Sequence, residues 1–338
     1  MPGAQELELI AALQDITHDC LKMFVRPDEP IAILDFPDIK NCGDSAIWLG
    51  EIAYLKDRYA KRPSYVCTTD DFSHDELKGM APSGPIFIHG GGNFGDLWVS
   101  HQDFREHIME LFPDRQIVQF PQSIHYSSPE RLEQSRRAIG RHKNFVLLVR
   151  DEESLLFAQE KFDCQVHLCP DMAFCIGSVQ PDAPRFPVLA MLRQDKEQVG
   201  AVDFSAYPHI PREDWITERH SRVRVAKALG AASALLHLSP SEVRLRKLNA
   251  AANNRFRRGI RQISRGKAIL TDRLHVHICS ILIARPHAVL DNNYGKIRRF
   301  MNAFSGGTDL SYKAMSIDDG IRWAREQAVG TVNDWRLS

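Results

Sequence analysis

Nowhere in the chain does an uncharged apolar run reach the roughly 18 residues needed to cross a bilayer. The N-terminus also lacks the basic start and long apolar core of a secretion signal. These absences lead to the expectation of a cytoplasmic protein, with peripheral contact at the inner face of a membrane left open. Charge imbalance is missing too: Lys and Arg total 43, Asp and Glu total 43, and the formal net charge is +0. A general nucleic-acid binder is usually basic overall, so no nucleic-acid partner is expected. Cysteine patterning is missing as well, the seven residues being scattered. Cys20, Cys42, Cys67, Cys164, Cys169, Cys175 and Cys279 are odd in number and without CxxC spacing, which points to buried reduced thiols and away from a zinc site. There is no internal repeat and no low-complexity tract.

What the chain does contain is alternation. Apolar positions at helical spacing run from Glu6 to Phe24, and the short run Ile31 to Phe36 then reads as a strand. Further strands are expected at Tyr65 to Thr68, Pro85 to His89, Gln116 to Phe120, Phe145 to Val149 and Gln165 to Leu168, with helical patterns between them. Residues Gly177 to Pro187, rich in Pro, Ser, Gly and Asp, are the best linker. A second unit opens at Val188 to Leu192, passes a loop-like stretch from Arg193 to Arg212, and includes apolar runs at Ala268 to Leu270 and His287 to Leu290. At 338 residues two domains are expected. The predicted architecture is α/β: two Rossmann-like domains facing a cleft, residues 1–178 and 179–338.

In such a fold ligands bind at the C-terminal ends of strands, and these ends carry the chemistry. The first ends in Asn41-Cys42-Gly43-Asp44, where Asp44 could serve as a base or as a helix cap. Another runs into Gly90-Gly91-Gly92-Asn93-Phe94-Gly95-Asp96, which contains a literal GxGxxG. The next strand ends in Pro121-Gln122 with no carboxylate to hold a ribose, so a nicotinamide cofactor is disfavoured. What remains is a backbone able to approach an anion or sugar at Gly91 and Gly92, with Asn93 and Asp96 as polar contacts, or else a plain tight turn.

Arg150 follows a buried strand and must be paired or face a cleft; Asp151 and Glu152 are the nearest internal partners. In the second unit Thr271-Asp272 reads as a helix start, placing Arg273 and His275 where helix amides already favour an anion. His277, two residues on, points elsewhere and reads as structural. Asp291 to Gly295 forms a turn-rich segment before Lys296 opens another helix. The cations from Arg244 to Lys267 read mainly as a solvated helix face, with anionic lipid head groups as the sharper alternative.

Taken together, NCGDSAIW (Asn41 to Trp48), IFIHGGGNFGDLW (Ile86 to Trp98), FPQSI (Phe120 to Ile124), VRDEES (Val149 to Ser154), PDMAF (Pro170 to Phe174), TDRLH (Thr271 to His275) and DNNYGK (Asp291 to Lys296) resemble the polysaccharide pyruvyl transferase family. The pieces fall in family order across Ile31 to Phe300, while Arg193 to Asn254 carries none. The resemblance implies a glycosyltransferase B-like fold without a metal or other cofactor. It also implies transfer of a pyruvyl group from phosphoenolpyruvate to two hydroxyls of a sugar, free or lipid-linked, giving a cyclic ketal. By the same resemblance Arg150, Arg273 and His275 match donor-binding and catalytic positions. The chemistry then suggests Lys296 as a further phosphoenolpyruvate contact and His275 as general acid. Asp44 or Asp96 would be the base, and Asn41, Gly91, Gly92 and Asn93 would stand on the acceptor side. A nucleotide-sugar glycosyltransferase on the same scaffold and a non-catalytic sugar-binding partner in polysaccharide assembly are the alternatives.

Overall fold

The computed structural model describes residues 4–193, 204–216, 218, 220–232, 239–291 and 295–330. The short apolar runs become parallel strands buried on both faces, as a sheet covered by helices requires. The chain opens with α1 (Ala4–Leu21), β1 (Ala32–Leu34), α2 (Cys42–Tyr59), β2 (Tyr65–Val66), α3 (His74–Met80) and β3 (Ile86–Ile88). Next come β4 (Gly91–Gly95), α4 (Val99–Leu111), β5 (Ile117–His125), α5 (Pro129–Arg141), β6 (Phe145–Val149), α6 (Glu152–Lys161) and β7 (Gln165–Leu168). Their strands form one parallel sheet in the order β2-β1-β3-β5-β6-β7, with β4 on β5.

After a 3-10 turn (Met172–Ile176) the second half contributes β8 (Phe186–Met191), β9 (Arg212–Glu213), α7 (His220–Ala232), α8 (Pro240–Ile263), β10 (Gly266–Thr271) and α9 (Leu274–Leu282). It closes with β11 (His287–Leu290), α10 (Lys296–Phe300), β12 (Ser311–Ala314) and α11 (Ile317–Gly330). Its parallel sheet runs β12-β11-β10-β8-β9. In the first sheet the chain reverses direction between β1 and β3, and in the second between β8 and β10. Crevices at such reversals are where open α/β sheets take ligands. Asn41 to Asp44 after β1, Gly90 to Gly92 after β3 and Arg273 after β10 stand at these reversals, while Arg150 and Lys296 follow β6 and β11, farther along their sheets.

Three expectations change. The glycine run is no tight turn: β4 pairs with the far half of β5, Gly91 opposite Gln122 and Gly95 opposite His125. Gly95 has φ +113, and a Cβ there would fall 1.8 Å from the His125 carbonyl oxygen, so only glycine allows the pairing. To receive β4, β5 runs on through Pro121 to His125; its register shifts between Gln119 and Gln122, where a strand can absorb a proline. Third, several cations before β10 do not form a solvated face. Arg255 is buried between Glu218 and Asp38, and Arg244 reaches Glu76, because α8 lies against the first half of the molecule.

Buried side chains cross from one half to the other. Leu245, Leu248, Ala251 and Ala252 of α8 share a cluster with Ile33, Phe87 and Val118 of the first sheet. Conversely, Ile10 and Leu13 of α1 lie with Ile278, Ile281 and Leu282 of α9.

Candidate functional site

Arg150 leaves the end of β6 with its amide bonded to the Gln122 carbonyl, so a fully apolar strand delivers a guanidinium at a fixed height above the sheet. It donates from Nε to Ser123 Oγ at 3.1 Å and from Nη1 to Asp171 Oδ2 at 2.5 Å. The partner is therefore Asp171, at the end of β7, and not Asp151, which caps α6 through Ser154 N. His275 completes the cluster from the other sheet. Its Nε2 lies 3.4 Å from Asp171 Oδ2 and 3.5 Å from Arg150 Nη1. The second carboxylate oxygen of Asp171 accepts from Ala173 N at 2.9 Å, which fixes its rotamer.

Arg150 and Asp171 are buried, while the His275 side chain keeps 11% of its surface. Burial alone would push the Asp171 carboxyl up. Hydrogen bonding and charge from His275, then the charge of Arg150, outweigh it and hold the group far below the usual carboxylate range. An ionised carboxylate thus faces the one ring nitrogen of His275 that also meets an arginine. Such a carboxylate orients an imidazole and stabilises its protonated form, the role that the third member of a hydrolase triad performs.

The glycines of both N-terminal motifs make room for these side chains. A Cβ on Gly43, in the first turn of α2, would fall 2.4 Å from His275 Nδ1, and one on Gly92 would fall 3.1 Å from Arg150 Nη2. Gly91, at φ +130, would place a Cβ 3.7 Å from Asp44 Oδ1. Asn41 caps α2, accepting from Gly43 N at 3.0 Å, and so sets the turn that abuts the histidine. Asn41, Gly43, Asp44, Gly91, Gly92, Arg150 and His275 therefore belong to one neighbourhood, drawn from regions more than 200 residues apart.

Asn93 stands beside it with its carboxamide oxygen held by Arg105 Nη2 at 3.0 Å and Gln122 Nε2 at 2.8 Å. That leaves the amide –NH2 as the group Asn93 can offer. Arg105 is fully buried among Gln119, Gln102 and Asn93, and burial pushes its pKa down to about 10. Under the glycine strand, Glu51 of α2 accepts from Gly90 N and holds His89 Nδ1 at 3.0 Å.

Other expected residues go elsewhere. Thr271 and Asp272 do not cap α9. Thr271 accepts from Arg273 N and donates to Met191 O, while Asp272 accepts from Arg193 N. They tie the ends of β10 and β8 together, and Arg273 takes the cap position with no side-chain cap on the helix. The Arg273 guanidinium meets Asp214 at 2.6 Å. Asp96 accepts from Ser127 and Ser128 amides and the Ser127 hydroxyl, fixing the turn into α5. Burial alone would raise its carboxyl, but those hydrogen bonds keep it below its ordinary value. Lys296 is the first residue of α10; Asn292, Asn293 and Tyr294 lie outside the described residues, as do residues 194–203 of the expected loop.

Sequence reasoning gave no role to Asp171, Asp214 or Arg105. A signal existed for Asp171 alone: it follows a short strand within Pro170-Asp171, the same placement that drew attention to Arg150.

A histidine, an arginine and a carboxylate converge from the strand ends of two parallel sheets, so this is an α/β protein with a charged cluster built from both halves. The chain belongs to the polysaccharide pyruvyl transferase family, whose model matches residues 41–294. It is 31% identical over 310 residues to pyruvyl transferase 1 of Schizosaccharomyces pombe, covering 85% of this chain and 73% of that protein. It is 30% identical over 284 residues to EpsO of Bacillus subtilis, a protein named provisionally as a pyruvyl transferase, covering 82% and 86%. An uncharacterized Klebsiella pneumoniae protein of known crystal structure shares the fold, with TM-score 0.53 and 16% identity over 92% of this chain and all of that one.

Proposed function

We propose that the protein transfers the pyruvyl group of phosphoenolpyruvate to two hydroxyls of one sugar, in a polysaccharide or its lipid-linked precursor, between domains arranged as in glycosyltransferases of the B type. The observation that carries this reading is the Arg150–Asp171–His275 cluster, assembled from both sheets. His275, held by Asp171, protonates the methylene carbon of the enol. The adjacent carbon gains oxocarbenium character, and a first sugar hydroxyl attacks it and gives up its proton. Phosphate then leaves with the C–O bond electrons, and the second hydroxyl closes the ketal. Of the two hydroxyl protons lost, one balances the new methyl group and one departs with phosphate. We take Asp44, half-buried beside Gly91, as the acceptor of a hydroxyl proton.

Arg150 and Arg273 supply charge-assisted donors for the donor's carboxylate and phosphate, aided by the uncapped start of α9. Lys296 is assigned to the same anion. Arg150 keeps its Nη1 bond to Asp171 and offers Nη2, beside Gly92, to substrate oxygens, so the buried carboxylate is not stranded. On the acceptor side, Asn93 presents its oriented amide to sugar oxygens.

The test is phosphate release from phosphoenolpyruvate in the presence of free and lipid-linked glycans, with the product read by mass spectrometry. A glycan heavier by one pyruvic acid less one water supports the reading. Stabilisation by a nucleotide-sugar, with no response to phosphoenolpyruvate in calorimetry, would replace it with a glycosyl transfer.

A further inference from the structure

We infer that the outer face of the α7–α8 hairpin is a docking surface for an anionic lipid bilayer. α7 (HSRVRVAKALGAA) contains no acidic residue. One side of it is buried against α8: Val223 is covered, and a Cβ on Gly230 would fall 2.7 Å from the Arg246 carbonyl oxygen. On the opposite side, at the helical spacing of 100° per residue, Val225, Ala228, Leu229 and Ala232 form one exposed stripe. Val225 is 57% and Leu229 66% exposed. Exposed Arg222 and Arg224 border the stripe on its two edges.

Charge on the hairpin is as uneven as the chain total is even. α7 carries three Lys or Arg and α8 seven, against the single acidic Glu242. Half of these cations are paired: Lys227 with Asp38, Arg244 with Glu76, Arg246 with Glu242 on its own helix, and Arg255 and Arg258 with Glu218. The others, Arg222, Arg224, Lys247, Arg257 and Arg261, are exposed and make no ion pair with a described residue. Lys247, Arg257 and Arg261 project from the side of α8 turned away from its buried face, and α7 rests on that same side. An apolar stripe edged by unpaired cations is the pattern of a helix lying in the bilayer interface, its aliphatic groups among the acyl chains and its arginines among phosphates. A second copy of the chain would bring like charges together over a small apolar patch, and a nucleic acid would leave that patch unused. Among the described residues no helix is long and apolar enough to cross a membrane, so contact would be by adsorption. The inference holds whichever donor the site takes.

The experiment is flotation of the full chain with phosphatidylcholine vesicles and with vesicles containing one part in three phosphatidylglycerol. Binding is expected to the anionic vesicles only, with release at high salt. The double variant Arg222→Glu/Arg224→Glu should weaken it by at least about tenfold, as loss of two surface cations predicts. Val225→Glu/Leu229→Glu should abolish it. Both pairs are solvent-exposed, and unchanged circular dichroism and thermal unfolding would show that the variants fold. Absence of binding to the anionic vesicles, or binding that both variants retain, overturns the inference. So does a dimer in light scattering that the same substitutions split.

Discussion

On α9, His275 looks across to Asp171 and Arg150 at 3.4 and 3.5 Å, whereas His277, two residues on, is sealed in the interior. The buried ring pairs with His287 Nε2 at 2.7 Å and Ser305 Oγ at 2.8 Å, and His287 in turn donates to the Arg285 carbonyl. That carbonyl only accepts, so the proton positions follow down the chain and both rings are neutral and satisfied. Burial, with repulsion from His287, pushes His277 well below its ordinary pKa, and burial lowers His287 to about 4. One residue type on one helix thus serves two ends. A carboxylate neighbour supports an added proton; a second imidazole in an apolar setting forbids one. Rotation about the helix, roughly 200° between the two positions, decides which neighbour each receives.

The sharpest way to break this contrast is to remove each histidine in turn. His275→Gln should cut turnover by about 10²–10⁴-fold, the usual contribution of a general acid. His277→Gln should leave turnover per folded molecule within a few-fold and lower the melting temperature. A reversed ranking in phosphate-release and thermal assays would remove His275 from the chemistry. Next in size, Asp171→Ala strands Arg150 without its carboxylate and should cost about 3–5 kcal/mol in urea unfolding. Asp171→Asn, milder, should lower turnover by a smaller factor than His275→Gln and recover most of the stability lost in Asp171→Ala; unchanged turnover would deny Asp171 a part in orienting His275.

The interior pair predicts an acid weakness. With its folded pKa depressed, His287 stays neutral in the native state while the unfolded chain takes up a proton. Stability is therefore present above the ordinary histidine pKa of 6.5 and is lost as pH falls toward about 4. The loss is roughly 3 kcal/mol at about 1.4 kcal/mol per pKa unit. Urea titrations across that range should show it, and His287→Gln should flatten the slope. Smallest is Gly43→Ala. Alanine is the better helix former by about 1 kcal/mol, yet its methyl occupies the place of the His275 ring. His275 Cβ also lies 2.7 Å from that methyl, so turning the ring cannot relieve the overlap. Stability should fall by about 1–3 kcal/mol and turnover by about 10- to 100-fold, the cost of a misplaced catalytic group; normal values of both would show that α2 and α9 shift without consequence.

The strands were legible because parallel strands buried on both faces read as plain apolar runs, and Arg150 and His275 because each directly follows such a segment or its helix start. The partners were not legible. Asp171 meets His275 across 104 positions of chain, and no local pattern announces a contact made only when two sheets come together. Gly43 and Gly92 were open to misreading for the same reason. A glycine states that space is needed, not which side chain will fill it. The cations of α8 look like a solvated face until Glu218, Asp38 and Glu76 are brought beside them.

The exchange of helices between the two halves carries a consequence for how the protein is made. Ile10 and Leu13 of α1 meet Ala46, Ala173 and Phe174 within the first half, but the rest of that cluster, Ile278, Ile281 and Leu282, comes only when α9 has been synthesised. The first sheet waits in the same way for Leu245 and Leu248. Until α8 and α9 have been made, the nascent chain displays two incompletely covered greasy faces, the kind of exposure that recruits chaperones. Cutting the gene between the two sheets would make that transient condition permanent in both fragments.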